Sequence, residues 1–261
     1  METAILLIPP AVNVVVTALF AWFILRQYLR RRRIYQLYWT IALTMAFLAT
    51  LFYVSMLVAQ PVSSAGILFF RLYYILGGAL MPSWLGLGSL ALVSNPRVVR
   101  ICSIILSIMS VLAAILIFQA SIDLPRLSQI AGTPGTGTLK TGAWLVMTII
   151  LNTLGVVAVG GVAIYSGWKL LRRQAQVAGL HTANLLRANI LILAGAILNG
   201  VAGSLARFLG LQSSFWLIMA VGWTVFFIGV LLTSRRSQNK TVQENSGAET
   251  GVEKEKHPAS S

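Results

Sequence analysis

Acidic side chains are almost missing from this chain of 261 residues, which has six of them: Glu2, Asp123, Glu244, Glu249, Glu253 and Glu255. None falls inside a long apolar run. Proton pumps and many coupled transporters depend on Asp, Glu or His relays within the membrane, so that class of function has no chemistry to run on here. Histidine is scarcer still, with only His181 and His257. Two intramembrane haem ligands are therefore excluded, and so is a clustered metal site. Paired carboxylates for acid–base catalysis are lacking, and a serine nucleophile would have only His181 as base. The chain is not expected to be an enzyme, and no cofactor is expected. Cys102 is the single cysteine, so no intramolecular disulfide can form.

What the chain does have is apolar length. Hydrophobic residues make up 57% of it and charged ones 10%, against about a quarter charged in a soluble domain. A bilayer core about 30 Å thick needs roughly 20 apolar residues in helix. Seven runs qualify: Ala4–Leu25, Tyr35–Ala59, Ala65–Val93, Val98–Phe118, Ala143–Leu171, Leu185–Phe208 and Ser214–Ser234. Pro9 and Pro10 suit the first turn of the first helix. The expected fold is an all-α, polytopic bundle of seven transmembrane helices over residues 1–234. Residues 235–261, polar and of mixed charge, are expected to form a disordered cytoplasmic tail.

Glu2 precedes the first run, and Arg26 with Arg30–Arg33 closes it, which is the reverse of a signal peptide. Cytoplasmic loops carry the excess of Lys and Arg. With the N-terminus outside, fourteen cations fall on the inner side and four on the outer, namely Arg71, Arg126, Lys140 and Arg207. An odd number of spans puts the C-terminus inside. The location implied is a plasma membrane crossed several times, of the bacterial inner-membrane kind. The net charge of +14 then points to anionic lipid at the inner face, through Arg30, Arg31, Arg32 and Arg33, and not to nucleic acid.

The stretch AGTPGTGTLKTG (residues 131–142) looks at first like a phosphate loop. Gly132 and Gly137 have the right separation, but Thr138 and Leu139 stand where Lys-Thr should follow, and a membrane helix precedes it instead of a strand. It reads as part of a flexible surface loop, Ala120–Gly142, in which Gly, Thr and Pro supply turns. Trp22, Trp39, Trp144, Trp168 and Trp216 fall near the expected interfaces, as an aromatic belt does.

Polar residues within lipid are costly and mark sites. Arg71, Arg207 and Asn152 gather in the outer half with Asn199 near mid-depth, and Asp123 in the long external loop is able to close on the arginines. They form the candidate ligand site, for an anionic small molecule or a lipid headgroup. In the sixth run Gly195, Asn199, Gly203 and Arg207 share one stripe, beside a row of Ala196, Gly200 and Ser204 that favours close helix packing. Pro82 should kink the third run, and the third and sixth runs are expected to line a common space. In helix number the chain looks like the seven-helix sensor domains joined to bacterial signalling enzymes, a likeness of architecture. A schiff-base lysine of the retinal-protein kind has no counterpart in Ser214–Ser234. The expected function is receptor-like or regulatory, with a ligand outside and a cytoplasmic protein partner inside. The alternatives are a facilitator of a small solute and a structural subunit of a membrane complex.

Overall fold

A computed structural model describes residues 2–174, 180–210, 212 and 214–232; the side chains at 2–5, 170, 171, 173, 174, 180–186, 204, 207 and 208 lie outside that description. The tail expected over 235–261 is likewise outside the described residues. Helix α1 spans Glu2–Arg31, α2 Ile34–Val58, α3 Ser64–Tyr73 and α4 Met81–Leu90, with a π-helical segment, Tyr74–Leu80, joining the last two. Then come α5 (Pro96–Gln119), the short α6 (Leu124–Ser128), α7 (Ala143–Gln174), α8 (Leu180–Phe208) and α9 (Phe215–Leu232). No strand occurs among the described residues beyond a single bridge between Ile122 and Leu139.

Six helical stretches are long and apolar enough to cross a membrane: Leu6–Arg31, Ile34–Val58, Ser64–Leu90, Pro96–Gln119, Ala143–Lys169 and Phe215–Leu232. The protein is a helical membrane bundle. The seventh expected span falls in α8, where the described apolar stretch is shorter, Arg187–Gly203.

The outward faces carry large apolar side chains, as a lipid solvent requires. Helix α5 shows this most plainly. Val98, Ile101, Ile105, Ile108 and Val111 are exposed, while its buried positions are Val99, Leu106, Ala113 and Ile117, a narrow stripe. Helices α1 and α2 form a tight hairpin turned by Arg32, which has a left-handed φ of 51°, and by Arg33. Their seam, Phe20, Ala21 and Ile24 against Ala42, Leu43 and Ala46, belongs to one buried cluster together with Trp223, Phe226 and Val230 of α9. A second cluster contains Tyr53, Phe70, Tyr73, Ile117, Trp144 and Trp216 at the opposite end of the bundle and extends through Leu106 and Leu87 to Val99. The two ends are called here the arginine end, after Arg30–Arg33, and the loop end, after the 120–142 connection.

Prolines shape two of the helices. Pro9 and Pro10 lie inside α1, which begins at Glu2, and not in its first turn. Asn13, one turn on, is buried and donates through Nδ2 to the Pro9 carbonyl (3.2 Å) and to the Trp216 carbonyl of α9 (3.0 Å). In the third span an α-helix would give the Gly78 carbonyl the N–H of residue 82, but Pro82 has none. The backbone loosens there into the π-helical turn, in place of a simple kink, and Asn152 of α7 donates to the Gly78 carbonyl at 2.8 Å. Helix α7 can approach so near because Gly155, one turn further, lies against the Pro82 carbonyl, where a Cβ would collide.

The small-residue stripe of α8 packs at Gly195 and Asn199, while Gly203 is exposed with no neighbour near it. Gly195 lies against Gly222 and Phe226 of α9, and the Asn199 amide sits on Gly222. The parallel row touches α7, with Gly200 near Val156. The third span packs on α2, α5 and α7, and α8 packs on α7. The third and sixth runs thus meet α7 and do not pack extensively on each other.

A double-mutant cycle tests the repair at Pro82. Asn152→Leu should destabilise the protein by about 1–3 kcal/mol, the cost of a buried carbonyl left unpaired. In a Pro82→Ala background residue 82 regains its N–H, and the same replacement should cost less than about 0.5 kcal/mol. Equal losses in the two backgrounds, measured by reversible unfolding in micelles, would show that Gly78 is not the partner that counts.

Candidate functional site

The long connection at the loop end is bonded within itself and partly buried, and so is not a surface feature throughout. Its base is closed by two backbone bonds, from Asp123 N–H to the Thr138 carbonyl (2.8 Å) and from Lys140 N–H to the Ser121 carbonyl (2.9 Å). Asp123 caps α6, its Oδ1 accepting the Arg126 N–H at 3.1 Å. Leu127, Ile130 and Leu139 are buried with the aromatic cluster below, and Thr138 is buried too. Gly132, Gly135 and Gly137 have φ of 78°, 71° and 83°. Those left-handed conformations suit glycine and strain other residues, and they turn the tip's carbonyls toward the bundle.

Three side chains from three helices receive those carbonyls. The Tyr53 hydroxyl of α2 donates to Ile130 O at 3.1 Å, the Tyr73 hydroxyl of α3 to Pro134 O at 3.1 Å, and Trp216 Nε1 of α9 to Thr133 O at 3.2 Å. The rings lie against one another, with centroids 4.3 Å apart for Tyr53–Trp216 and 5.3 Å for Tyr53–Tyr73. At the loop's far end Trp144 Nε1 donates to Lys140 O at 2.8 Å. Buried phenol and indole groups need such partners, and here the loop backbone supplies them.

Each residue singled out in the sequence has a definite place. Arg71 is half-buried, donates through Nη2 to the Ala120 carbonyl at 3.3 Å, and lies 5.7 Å from the Phe118 ring centroid. Ala120 caps the C-terminus of α5, so the guanidinium answers the negative end of that helix dipole. Its Nε is buried without a partner. Asp123 forms an ion pair with Arg126 at 3.5 Å while capping α6, so its carboxylate is turned to its own short helix. Asn152 serves the π-helical turn, and its Oδ1 is buried without a partner, as is that of Asn199. Arg207 belongs to α8, but its side chain lies outside the described residues. Arg30, Arg31, Arg32 and Arg33 are all exposed around the α1–α2 turn, where Arg32 sits 5.8 Å from the Tyr28 ring centroid. The structure therefore brings Arg71 and Asp123 to the same α5–α6 connection, and places Asn199 apart, between α8 and α9.

The tryptophans divide. Trp22 and Trp168 are exposed, as belt residues are, but Trp144 and Trp216 are buried and hold the loop. Tyr53, Tyr73 and Trp216 are the residues that sequence reasoning missed; a signal existed in three amphipathic aromatics, each near the same end of its helix. Among the described residues no group of His, Cys, Asp and Glu is placed to hold a metal ion.

Comparison with protein-family models, with curated proteins and with solved structures found no match. The geometry alone carries the functional argument. It places three neutral donors, each bonded to the loop backbone, in an aromatic cluster, and one half-buried arginine at the end of α5.

Arg71→Met should lower stability by about 1–2 kcal/mol, the worth of a partly buried cation at a helix C-terminus. Arg71→Lys should recover only part of it, since lysine lacks the planar fork. Unfolding that is unchanged in both variants would mean that the guanidinium points to lipid and caps nothing.

Proposed function

We propose that the chain is a seven-helix membrane protein of receptor-like or regulatory type, with its N-terminus outside and its C-terminus in the cytoplasm. In this reading the loop end senses or binds a small anionic or lipid-like ligand, and the arginine end meets anionic lipid and a cytoplasmic protein partner. The carrying observation is the loop held across α2, α3 and α9 by Tyr53, Tyr73 and Trp216. A lid bonded to three helices couples whatever touches it to their relative positions. Trp216 stands at the head of α9, the last helix before the C-terminal tail. The π-helical turn beginning at Tyr74, directly after Tyr73, adds support, since π-turns gather at functional sites.

Helix α8 supports the seventh crossing. Its 29 residues reach about 43 Å at 1.5 Å each, more than a bilayer core. Seven crossings put the tail opposite the N-terminus, and the cation excess around Arg30–Arg33 accords with a cytoplasmic arginine end.

Two measurements test the proposal. A reporter fused after residue 234 should be active in the cytoplasm and silent outside it; the reverse pattern overturns the orientation. For the coupling, a spin label at Leu232→Cys in a Cys102→Ser background should change its distance to a second label at Ala59→Cys when Trp216→Leu frees the loop. An unmoved distance, together with solute flux into liposomes that depends on Arg71, would replace the receptor reading with a facilitator.

A further inference from the structure

We propose that the aromatic cradle beneath the loop is itself a ligand site, selective for a neutral amphiphile that presents carbonyl or ester oxygens, and that the loop tip fills it as a tethered stand-in. The inference rests on reading the loop end as the sensing end, and it narrows the ligand class of that reading to neutral lipid-like molecules.

The cradle's polar lining is one-sided. Tyr53, Tyr73 and Trp216 all donate, and all three are buried. Their acceptors are peptide carbonyls of residues 130, 133 and 134, held within a single turn of chain. A peptide carbonyl and an ester carbonyl are the same kind of acceptor: neutral, planar at carbon, with two lone pairs. The walls around the donors are rings and apolar side chains, among them Phe70, Phe215 and Ile117, suited to an acyl chain. A carboxylate would have to give up its hydration among these groups, and no cation is bonded there. Arg71 is bonded to Ala120 at the end of α5, its unpartnered Nε there and not among the three donors, while Arg126 and Lys140 face solvent. Burial of an ionised group without a paired charge is strongly disfavoured, so the chamber selects against anions. Asn13 adds an acceptor beside Trp216. Its Nδ2 holds the Trp216 carbonyl, and its Oδ1 is buried with no partner, a place for a ligand hydroxyl.

The occupant is built as a separate lobe. Its base pairing, the Asp123 cap, the Asp123–Arg126 ion pair and the Thr133 Oγ1 bond to Ile130 O at 2.9 Å are all internal. None of them needs the bundle. Lifting the lobe keeps these internal polar bonds and withdraws Leu127, Ile130 and Leu139 from the shared core, so an apolar ligand must refill that space while its oxygen takes the donors the lobe leaves. A side chain at Gly135 would meet Ile130 of the loop itself and the Phe70 ring below, at a φ of 71° that strains any other residue, so it would unseat the tip.

A monoacylglycerol carries the required ester carbonyl, hydroxyls and single acyl chain without charge. The test is photo-crosslinking of a diazirine-bearing monoacylglycerol to the full chain in nanodiscs, with the labelled residues mapped by mass spectrometry. Labelling should fall on α2, α3 and α9 under the loop. Unlabelled monoacylglycerol should compete about tenfold better than the fatty acid of the same chain length, the direction set by the cost of burying the carboxylate. Tyr53→Phe with Tyr73→Phe keeps both rings packed and should cut labelling at least about fivefold, as one or two lost hydrogen bonds do. Gly135→Val should raise it. Labelling confined to the lipid-facing side of α5, or indifferent to the tyrosine hydroxyls, overturns the proposal. If that happens while the α9 label still responds to Trp216→Leu, the receptor reading stands and the cradle is a structural joint; if neither responds, both fall.

Discussion

A backbone carbonyl within hydrocarbon has no water to turn to, and this one constraint accounts for most of the polar architecture of the bundle. Each unsatisfied group of this kind costs several kcal/mol in lipid. Pro82 creates such a group at Gly78, and Asn152 of another helix serves it, while Asn13 links α1 to the Trp216 carbonyl of α9. A loop folded into a membrane bundle creates more. The 120–142 connection can enter the core only because Tyr53, Tyr73 and Trp216 meet its inward carbonyls. Arg71 does the same for the end of α5. Packing obeys the complementary rule. Lipid tails give helices no hydrophobic reason to associate, so close approach through small residues takes over, as at Gly155 on Pro82 and Gly222 on Asn199.

The spans were legible because their signal is local. A run of about twenty apolar residues carries its meaning wherever it sits, and six such runs correspond to helices of sufficient length and composition. The small-residue row of α8 was legible for the same reason, since a period of four places residues on one face whatever the neighbour is. The inner prolines of α1 were misjudged, because a first-turn proline reads the same as one whose helix has simply been extended toward Glu2.

The candidate site was legible only in part, and the reason is sequence distance. That Asn152 and Asn13 are costly in lipid follows from their residue type alone; that their partners are the carbonyls of Gly78 and Trp216 does not. Loop contacts are further from sight. Tyr53 reaches Ile130 across 77 residues, and Trp216 reaches Thr133 across 83. In composition the Gly-Thr segment is that of a solvent loop, and composition cannot distinguish a glycine that bends a free turn from one that aims a carbonyl into a core. The aromatics misled in the opposite direction. A tryptophan near a helix end satisfies the belt rule, and that rule has no term for a partner segment folded down upon it.

The two ends of the bundle differ in how their polar groups are used. At the arginine end Gln36 donates to Gln27 at 3.2 Å, two helix residues closing on each other beneath the α1–α2 turn. That bond staples one hairpin and reports on nothing beyond it. At the loop end Tyr53, Tyr73 and Trp216 each bond a segment outside their own helix, so lifting the lobe releases α2, α3 and α9 at once. What α9 does next is constrained by its track on α8. Gly222 bears on Asn199, Phe226 on Gly195 and Gly229 on Ile192, three contacts spread along the helix at backbone distance. A side chain held that closely cannot slip past a turn without collision, because packed interiors have discrete arrangements and do not deform continuously. Displacement of Trp216 along the axis must therefore either carry α8 with α9 or move the pair by a whole register. In both cases α8 and α9 are constrained to move as a pair, because their contacts are made at backbone distance along the whole length that Gly222, Phe226 and Gly229 cover.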